Sequence, residues 1–512
     1  MSQATGVEPA GPRAASRSPG ELPDFAAAPV LAIAAALAAL LLAFADRYGY
    51  HRDELYFVAA GKHLAWGYPD QPPLVPAIAR VMSDLAPGSL VVLRIPSALA
   101  GGALVALTGM LAREFGGRRA AQALAAGVIA LAPVVIGASH LLSTTTFDLP
   151  IWALLSLLVV RILRTGNNRL WLPAGVVAGV GLLDSDLVAA LIFSVVVGLI
   201  TVGPRGPLRS GWFYAGGVIA VVFWAPYLAW QASHGWPELT VAHSIASGGS
   251  GTSAPWWEVV PEQLVLVAPY FAAIWITGLV RLFRDPQLRW CRAIGVAYPV
   301  LAFAFMLTGG KPYYLAGMFP VLLGAGAQPA ADWLTRSRMR LRRGLFAAAV
   351  VLSLGVAAIT LPIVPAQDLH KTPIVALNYD AGETVGWPAF VREIATAYRA
   401  LPVAQRPTTI VLASNYGEAG AVDRFGPADG LPAAYSGHMG FYYWGPPPAT
   451  ATSAIVVGYS KGQLGFCGSV RLALKLNNHE GLSDDEQNQP VWICQQLRQS
   501  WRSIWPSRRD FG

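Results

Sequence analysis

Ionisable and aromatic side chains crowd into one short stretch of an otherwise apolar chain. It reads Asp46-Arg-Tyr-Gly-Tyr-His-Arg52-Asp53-Glu54-Leu-Tyr-Phe, then Gly61-Lys62-His63, then Trp66-Gly-Tyr-Pro-Asp70-Gln-Pro-Pro73. A positioned carboxylate can accept a proton and nearby cations can hold an anion, so the functional reading is a substrate cleft. The plainer reading is an interfacial anchor, with Tyr and Trp among lipid headgroups and an Asp capping a helix that starts near Asp53. Glycoside hydrolysis needs two carboxyls facing each other across about 5–10 Å. Asp53 and Glu54 are neighbours that point different ways on a helix, so they are not such a pair.

Other candidates lie far along the chain. Asp148 follows Ser143-Thr-Thr-Thr-Phe, where an acid can serve a site or merely join an N-cap cluster. His140 is equally ambiguous: it could join Asp53, Glu54 or Asp148 around a divalent cation, but no His/Asp spacing here is diagnostic of metal. Metal dependence, and hence any cofactor, is left open. Lys311, with Tyr313 and Tyr314, is either a ligand group or a lysine snorkelling to the interface.

The elements that hold these residues are set by composition. Hydrophobic residues make up 54% of the 512 and charged residues only 13%, about half the density of an ordinary soluble surface. A soluble cytosolic enzyme is excluded, and three Cys exclude a disulfide scaffold. Apolar runs over 25–45, 91–112, 120–137, 149–163, 170–184, 187–202, 212–231, 259–280, 293–308, 313–327 and 344–361 predict about eleven transmembrane helices. The expectation is an α-helical polytopic membrane protein, with a disordered cytoplasmic tail over 1–24, a membrane domain over 25–365 and a first outer loop over 46–90.

Arginine sets the orientation. With the N-terminus inside, nineteen Lys and Arg of residues 1–365 fall on the cytoplasmic side and six (Arg47, Arg52, Lys62, Arg80, Arg94, Lys311) in the opposite loops. The net charge of +8 is thus mainly a topology signal. The densest run, Arg336 to Arg343, suits anionic lipid at a helix end better than nucleic acid, which is not an expected partner. Residues 366–512 then lie outside. They hold 24 of the 66 charged residues and read as a small α/β domain, with strands over Thr408–Ala413 and Ser453–Gly458 and a helix over Pro388–Leu401. Cys467 and Cys494 fall in this disulfide-permitting compartment and are expected to pair.

The first outer loop closely resembles bacterial members of the dolichyl-phosphate-mannose–protein mannosyltransferase-like group, glycosyltransferase family 39 and its relatives with the GT-C membrane fold. Arg52-Asp-Glu-Leu-Tyr-Phe and Gly61-Lys-His-Leu-Ala-Trp-Gly-Tyr-Pro-Asp-Gln-Pro-Pro73 carry the likeness. It continues through Ser143–Asp148, Gln231-Ala-Ser-His-Gly-Trp-Pro237, Gly309-Gly-Lys-Pro-Tyr-Tyr-Leu315, Glu383-Thr-Val-Gly-Trp-Pro388 and Asn415-Tyr-Gly-Glu-Ala-Gly420. The resemblance implies inverting transfer of a sugar from a polyprenyl-phosphate carrier to a protein, lipid or glycan acceptor. It implies Asp53 as general base, with Glu54 ranked behind it and able instead to orient the loop through a cation. It implies a lipid-phosphate site at Lys311, Tyr313 and Tyr314, with Lys62, Arg52 and Arg94 as further cations, and an acceptor or second acidic site at Asp148 and His140.

One departure stands out. Relatives often carry Asn-Lys at the turn between the fifth and sixth helices, where this chain has Asp184-Ser-Asp186. That loses a candidate phosphate contact, so an inactive envelope protein of the same fold is one alternative. A transporter or lipid-linked-sugar flippase is another, although the ionisable residues cluster at helix ends. Gly458-Tyr-Ser460-Lys-Gly462 mimics a nucleophile elbow but lacks an acid between Ser460 and His479, and reads as a turn. Asn415–Gly420, with Glu418, also reads as a structural turn.

Overall fold

The computed structural model describes residues 22–336 and 338–512, so most of the tail expected over 1–24 lies outside the described residues. Each apolar run except one becomes a helix or a helix pair. They are α1 (Ala27–Ala43), α4 (Leu90–Glu114), α5 (Arg119–Ala130), α6 (Pro133–His140), α7 (Thr144–Thr165), α8 (Trp171–Leu182), α9 (Leu187–Thr201), α10 (Gly211–Ser233), α13 (Ala272–Arg284), α14 (Arg292–Thr308), α15 (Phe319–Thr335) and α16 (Met339–Thr360). Between α1 and α4 the first loop folds into α2 (Arg52–Lys62) and α3 (Leu74–Leu85), and α11 (Pro237–Ala246) and α12 (Glu262–Leu266) follow α10. Among the described residues five helices, or six counting the bent α5–α6 pair, are long and apolar enough to cross a bilayer. The chain is an integral membrane protein.

Two runs differ from the expected single helix, for the same reason. The run over 120–137 breaks into α5 and α6, bent by 60°, with Pro133 opening α6. The run expected over 259–280 forms only the five-residue α12 before its main helix begins at Ala272, because Pro261 and Pro269 interrupt it and Ala268 between them sits at φ +63°. Proline lacks the N–H an uninterrupted helix would use and biases the residue before it away from helix.

The membrane core centres on α4 and α7, with Trp152 of α7 fully buried. At the C-terminal ends of these two helices the buried Glu114 accepts from Arg161 Nε and Arg164 Nε, both at 2.7 Å. Arg118 meets Asp332 at 3.3 Å nearby. The arginine-rich connections thus gather at one end, and the first loop sits at the other, against the C-terminal domain.

That domain is α/β, as expected. Two short helices, α17 (Ile374–Leu377) and α18 (Tyr379–Gly382), lead into α19 (Trp387–Arg399), the predicted helix. Strands β1 (Thr409–Ala413), β2 (Ala434–Ser436), β3 (Ser453–Val457), β4 (Cys467–Lys475) and β5 (Pro490–Leu497) form one sheet in the order β2-β1-β3-β5-β4. The predicted strands are β1 and β3, which pair in parallel and are buried along their whole length. Unbroken β-branched runs suit a strand covered on both faces. β5 runs antiparallel to β3 and β4, and the Cys467–Cys494 disulfide ties β4 to it. Cys291 is free and buried.

Helix α20 (Tyr416–Phe425) follows β1 and packs directly on α2. An added Cβ on Gly420 would lie 2.9 Å from the Leu55 backbone, and one on Gly417 2.9 Å from Arg52 Cβ. The two glycines of Asn415-Tyr-Gly-Glu-Ala-Gly420 therefore let this helix rest against the first loop.

Candidate functional site

His51, not an aspartate, caps α2. Its Nδ1 accepts the Asp53 N–H at 3.2 Å, and its own N–H donates to Glu54 Oε2 at 2.9 Å, closing a capping box. This arrangement leaves the Asp53 carboxylate free of capping duty and points it toward the C-terminal domain, 38% exposed. Tyr416 Oη donates to Asp53 Oδ1 at 2.7 Å.

Glu54 is fully enclosed. Arg94 Nε donates to its Oε1 at 2.8 Å and Nη2 to its Oε2 at 2.6 Å, and the Leu142 N–H adds a bond to Oε1 at 2.9 Å. Burial pushes its pKa up, but the Arg94 charge and these bonds hold it below the usual carboxylate range. Arg94 also donates to the carbonyls of Ala45 at 2.7 Å and Gly49 at 2.8 Å. Both partners are committed to fastening the loop onto α4 and α7. His140 belongs to this knot, 3.4 Å from Arg94 Nη1.

Arg52 reaches the other way, into the C-terminal domain. Its Nη1 donates to Glu383 Oε2 at 3.0 Å and to the Tyr379 hydroxyl at 3.2 Å. Glu383 of the Glu-Thr-Val-Gly-Trp-Pro motif is thus the docking point for the first loop. Lys62 is exposed at the opposite end of α2, roughly 14 Å from Asp53 along the helix axis.

Lys311 comes from the turn between α14 and α15. Its Nζ donates to Ser250 Oγ at 2.9 Å and lies 5.9 Å from the Tyr313 ring centre. Partial burial lowers its pKa, while Asp53 and Asp380 are near enough to oppose that shift. Asp380 Oδ1 in turn lies 3.6 Å from His51 Nε2. Burial draws the His51 pKa down, but the nearby Asp380 and Asp53 carboxylates outweigh it and raise it. Tyr313 and Tyr314 diverge at 87°. The charges of Asp380 and Asp53 act on the Tyr313 phenol, and those of Asp148 and Glu238 on that of Tyr314.

Asp148 does not cap α7, since Ser143 does so through Thr146 N–H. It lies in a group of acids with Asp184, Asp186 and Glu238. Trp224 Nε1 donates to Asp186 Oδ1 at 3.0 Å and Tyr227 Oη to Oδ2 at 3.1 Å. Asp148 Oδ1 and both Asp184 oxygens are buried without a partner. Burial and the neighbouring Asp186 push Glu238 up to about 10. Among the described residues no three His, Cys, Asp or Glu side chains converge as metal ligands.

Residues 70–230 match the family described as dolichyl-phosphate-mannose-protein mannosyltransferase. The matched segment takes in Asp70, Asp148, Asp184 and Asp186 and stops short of Asp53 and Lys311 on either side. The fold is similar to ArnT from Cupriavidus metallidurans in the apo state, at TM-score 0.57 and 15% identity. It is similar to the same enzyme bound to undecaprenyl phosphate at TM-score 0.55 and 16% identity. Each alignment covers 91% of this chain and 97% of the other. The chain has the GT-C glycosyltransferase fold. No curated protein matches it in sequence.

On this GT-C scaffold the acidic and cationic ends of the motifs meet: Asp53, Lys311 and Tyr313 share one neighbourhood. His51, Asp380 and Tyr416 join them there without having been expected from the sequence, and Asp70 and Glu238 likewise emerge only as neighbours in space. Asp380 and Glu383, three apart, would face the same way on one helical turn, a spacing visible in the chain itself. Tyr416 lies within Asn415–Gly420, where the glycines signal a turn and nothing marks the tyrosine.

Proposed function

We propose that the protein transfers a sugar, with inversion, from a polyprenyl phosphate to an acceptor hydroxyl at the outer membrane face. Asp53 takes the acceptor proton as the new bond to the anomeric carbon forms. The bond from that carbon to the carrier oxygen breaks, and its electron pair leaves with the phosphate. A phosphate monoester has a second pKa near 6, so it departs as an anion without a general acid. The observation that carries this reading is the half-open Asp53 carboxylate on the first loop, with Lys311 held beside Tyr313 on a distant loop and the Asp53 charge acting to raise the lysine's pKa. Lys311 and Tyr313 are assigned to the carrier phosphate. Undecaprenyl phosphate bound to ArnT, which shares the fold, supports a carrier of this kind.

In this reading Glu54, Arg94 and His140 hold the loop, and Arg52 docks it to the C-terminal domain. Asp148, Tyr314 and the neighbouring acids are assigned to the border of the site. The arginine-rich end faces the cytoplasm. Transport without chemistry is disfavoured because Asp148 and Glu238 lie within two turns of a helix start, and Asp184 and Asp186 in the turn between two helices, not at mid-helix.

The test is purified protein incubated with radiolabelled polyprenyl-phosphate sugars and envelope extract, beside Asp53→Asn. Transfer by the wild type and none by the variant is expected. Equal turnover would remove Asp53 as the base. Asp184→Ala and Asp186→Asn in the same assay decide whether the altered turn still serves transfer: full activity in both would show that these acids are dispensable.

A further inference from the structure

The side chain that meets Asp53 comes from the C-terminal domain, and it is unusually well held. Tyr416 stacks on His438 with ring centres 4.9 Å apart and an 11° angle between planes. Its other neighbours are the Tyr56 ring at 4.8 Å and the Arg52 guanidinium at 5.3 Å from its centre. Its backbone N–H donates to His438 Nδ1 at 3.2 Å. The residue opens α20, whose start is capped by Asn415, while Glu418 Oε2 accepts from Ser414 N–H at 2.7 Å. Gly417 and Gly420 seat that first turn on α2. Burial and the adjacent Asp53 charge keep the phenol well above its ordinary pKa, so it remains a donor near neutral pH.

A carboxylate on a two-bond side chain rotates freely unless something holds it, and a base must present one oxygen to the reacting proton. Asp53 Oδ1 is taken by Tyr416, while Oδ2 lies 3.8 Å from His51 Nδ1, beyond hydrogen-bonding range. We propose that Tyr416 is a positioning residue for the base: its hydroxyl fixes Asp53 Oδ1 so that Oδ2 faces the acceptor. This rests on Asp53 being the base, and it makes the C-terminal domain a working part of the reaction centre. The Arg52–Glu383 pair holds the domain in the register this contact needs.

The experiment is Tyr416→Phe in the full-length protein, which keeps the stacked ring and removes only the hydroxyl. The expected result is a kcat about 10- to 100-fold lower, the scale of a misplaced catalytic group. KM for the polyprenyl-phosphate sugar stays within about twofold, because the Tyr416 hydroxyl is spent on Asp53 and is not among the groups assigned to the carrier phosphate. A kcat within about twofold of wild type, or a KM that moves as far as kcat does, overturns the assignment. Asp53→Asn is measured alongside. If that variant turns over normally, the base itself is misassigned; if it is inactive while Tyr416→Phe is fully active, only the positioning role fails.

Discussion

Arg94 grips Glu54 through two parallel hydrogen bonds, at 2.8 and 2.6 Å, in a site where neither side chain is more than 2% exposed. Adjacent acids in the sequence therefore have opposite fates. Glu54 is spent on holding the loop to the membrane helices, and Asp53 is turned outward.

Breaking that grip should cost folding. Removing one partner of a buried ion pair strands the other, typically at about 3–5 kcal/mol. Glu54→Gln and Arg94→Met are expected to lower the thermal unfolding midpoint of detergent-purified protein sharply. Asp53→Asn, at a 38% exposed carboxylate, should leave it nearly unchanged. A normal midpoint for Arg94→Met would show that the clamp is dispensable.

Gly420→Ala tests the seat between α20 and α2. The new methyl would meet Leu55 backbone atoms at 2.9 to 3.0 Å, and overpacking of this kind costs about 1–3 kcal/mol. The variant should melt earlier and transfer more slowly. Gly462→Ala, with nothing within 4 Å of its added Cβ, should match wild type in both measurements.

Lys311→Met should weaken donor binding. A hydrogen bond to a charged group contributes about 1.5–3 kcal/mol, which is roughly a 10- to 100-fold change in Kd. Equilibrium binding of a polyprenyl phosphate is the measurement, and unchanged affinity would remove Lys311 from the phosphate site.

Asp70 makes stability depend on pH in a defined direction. Burial pushes its carboxyl up to about 7, against the hydrogen bond from Tyr56 at 2.9 Å. Between the ordinary carboxylate value near 4 and about 7 the folded state binds the extra proton, so this contribution is complete below about pH 4 and lost as pH rises through about 7. Unfolding midpoints should fall from pH 5 to pH 8 in wild type and fall less in Asp70→Asn, which is neutral throughout. Equal falls in both would place the titration elsewhere.

Much of this protein is legible in the chain alone. Apolar runs mark the helices because a bilayer demands length and uniform hydropathy, both local properties. The strands β1 and β3 are readable for a similar reason, since a doubly covered strand is an unbroken apolar run. β4 is not, because Arg471 and Lys475 interrupt its apolar residues and its pairing with β5 carries a register shift near Leu472. The break before Ala272 is signalled by Pro261 and Pro269 but hidden when hydropathy is averaged across them.

At the site, residue types alone mark Asp53, Lys311 and the paired tyrosines as the chemistry-bearing set, and a family likeness assigns them roles. The family likeness ranks Asp53 above Glu54 and gives Glu54 a cation to hold; only the tertiary structure shows that this cation is Arg94, because which arginine reaches the acid depends on where α4 lies, not on its neighbours in sequence. Only it brings Tyr416, some 360 residues away, to the carboxylate. Hydropathy and charge act along the chain and can be read there. A hydrogen bond depends on positions in space, and those were decided when α20 came to rest on α2.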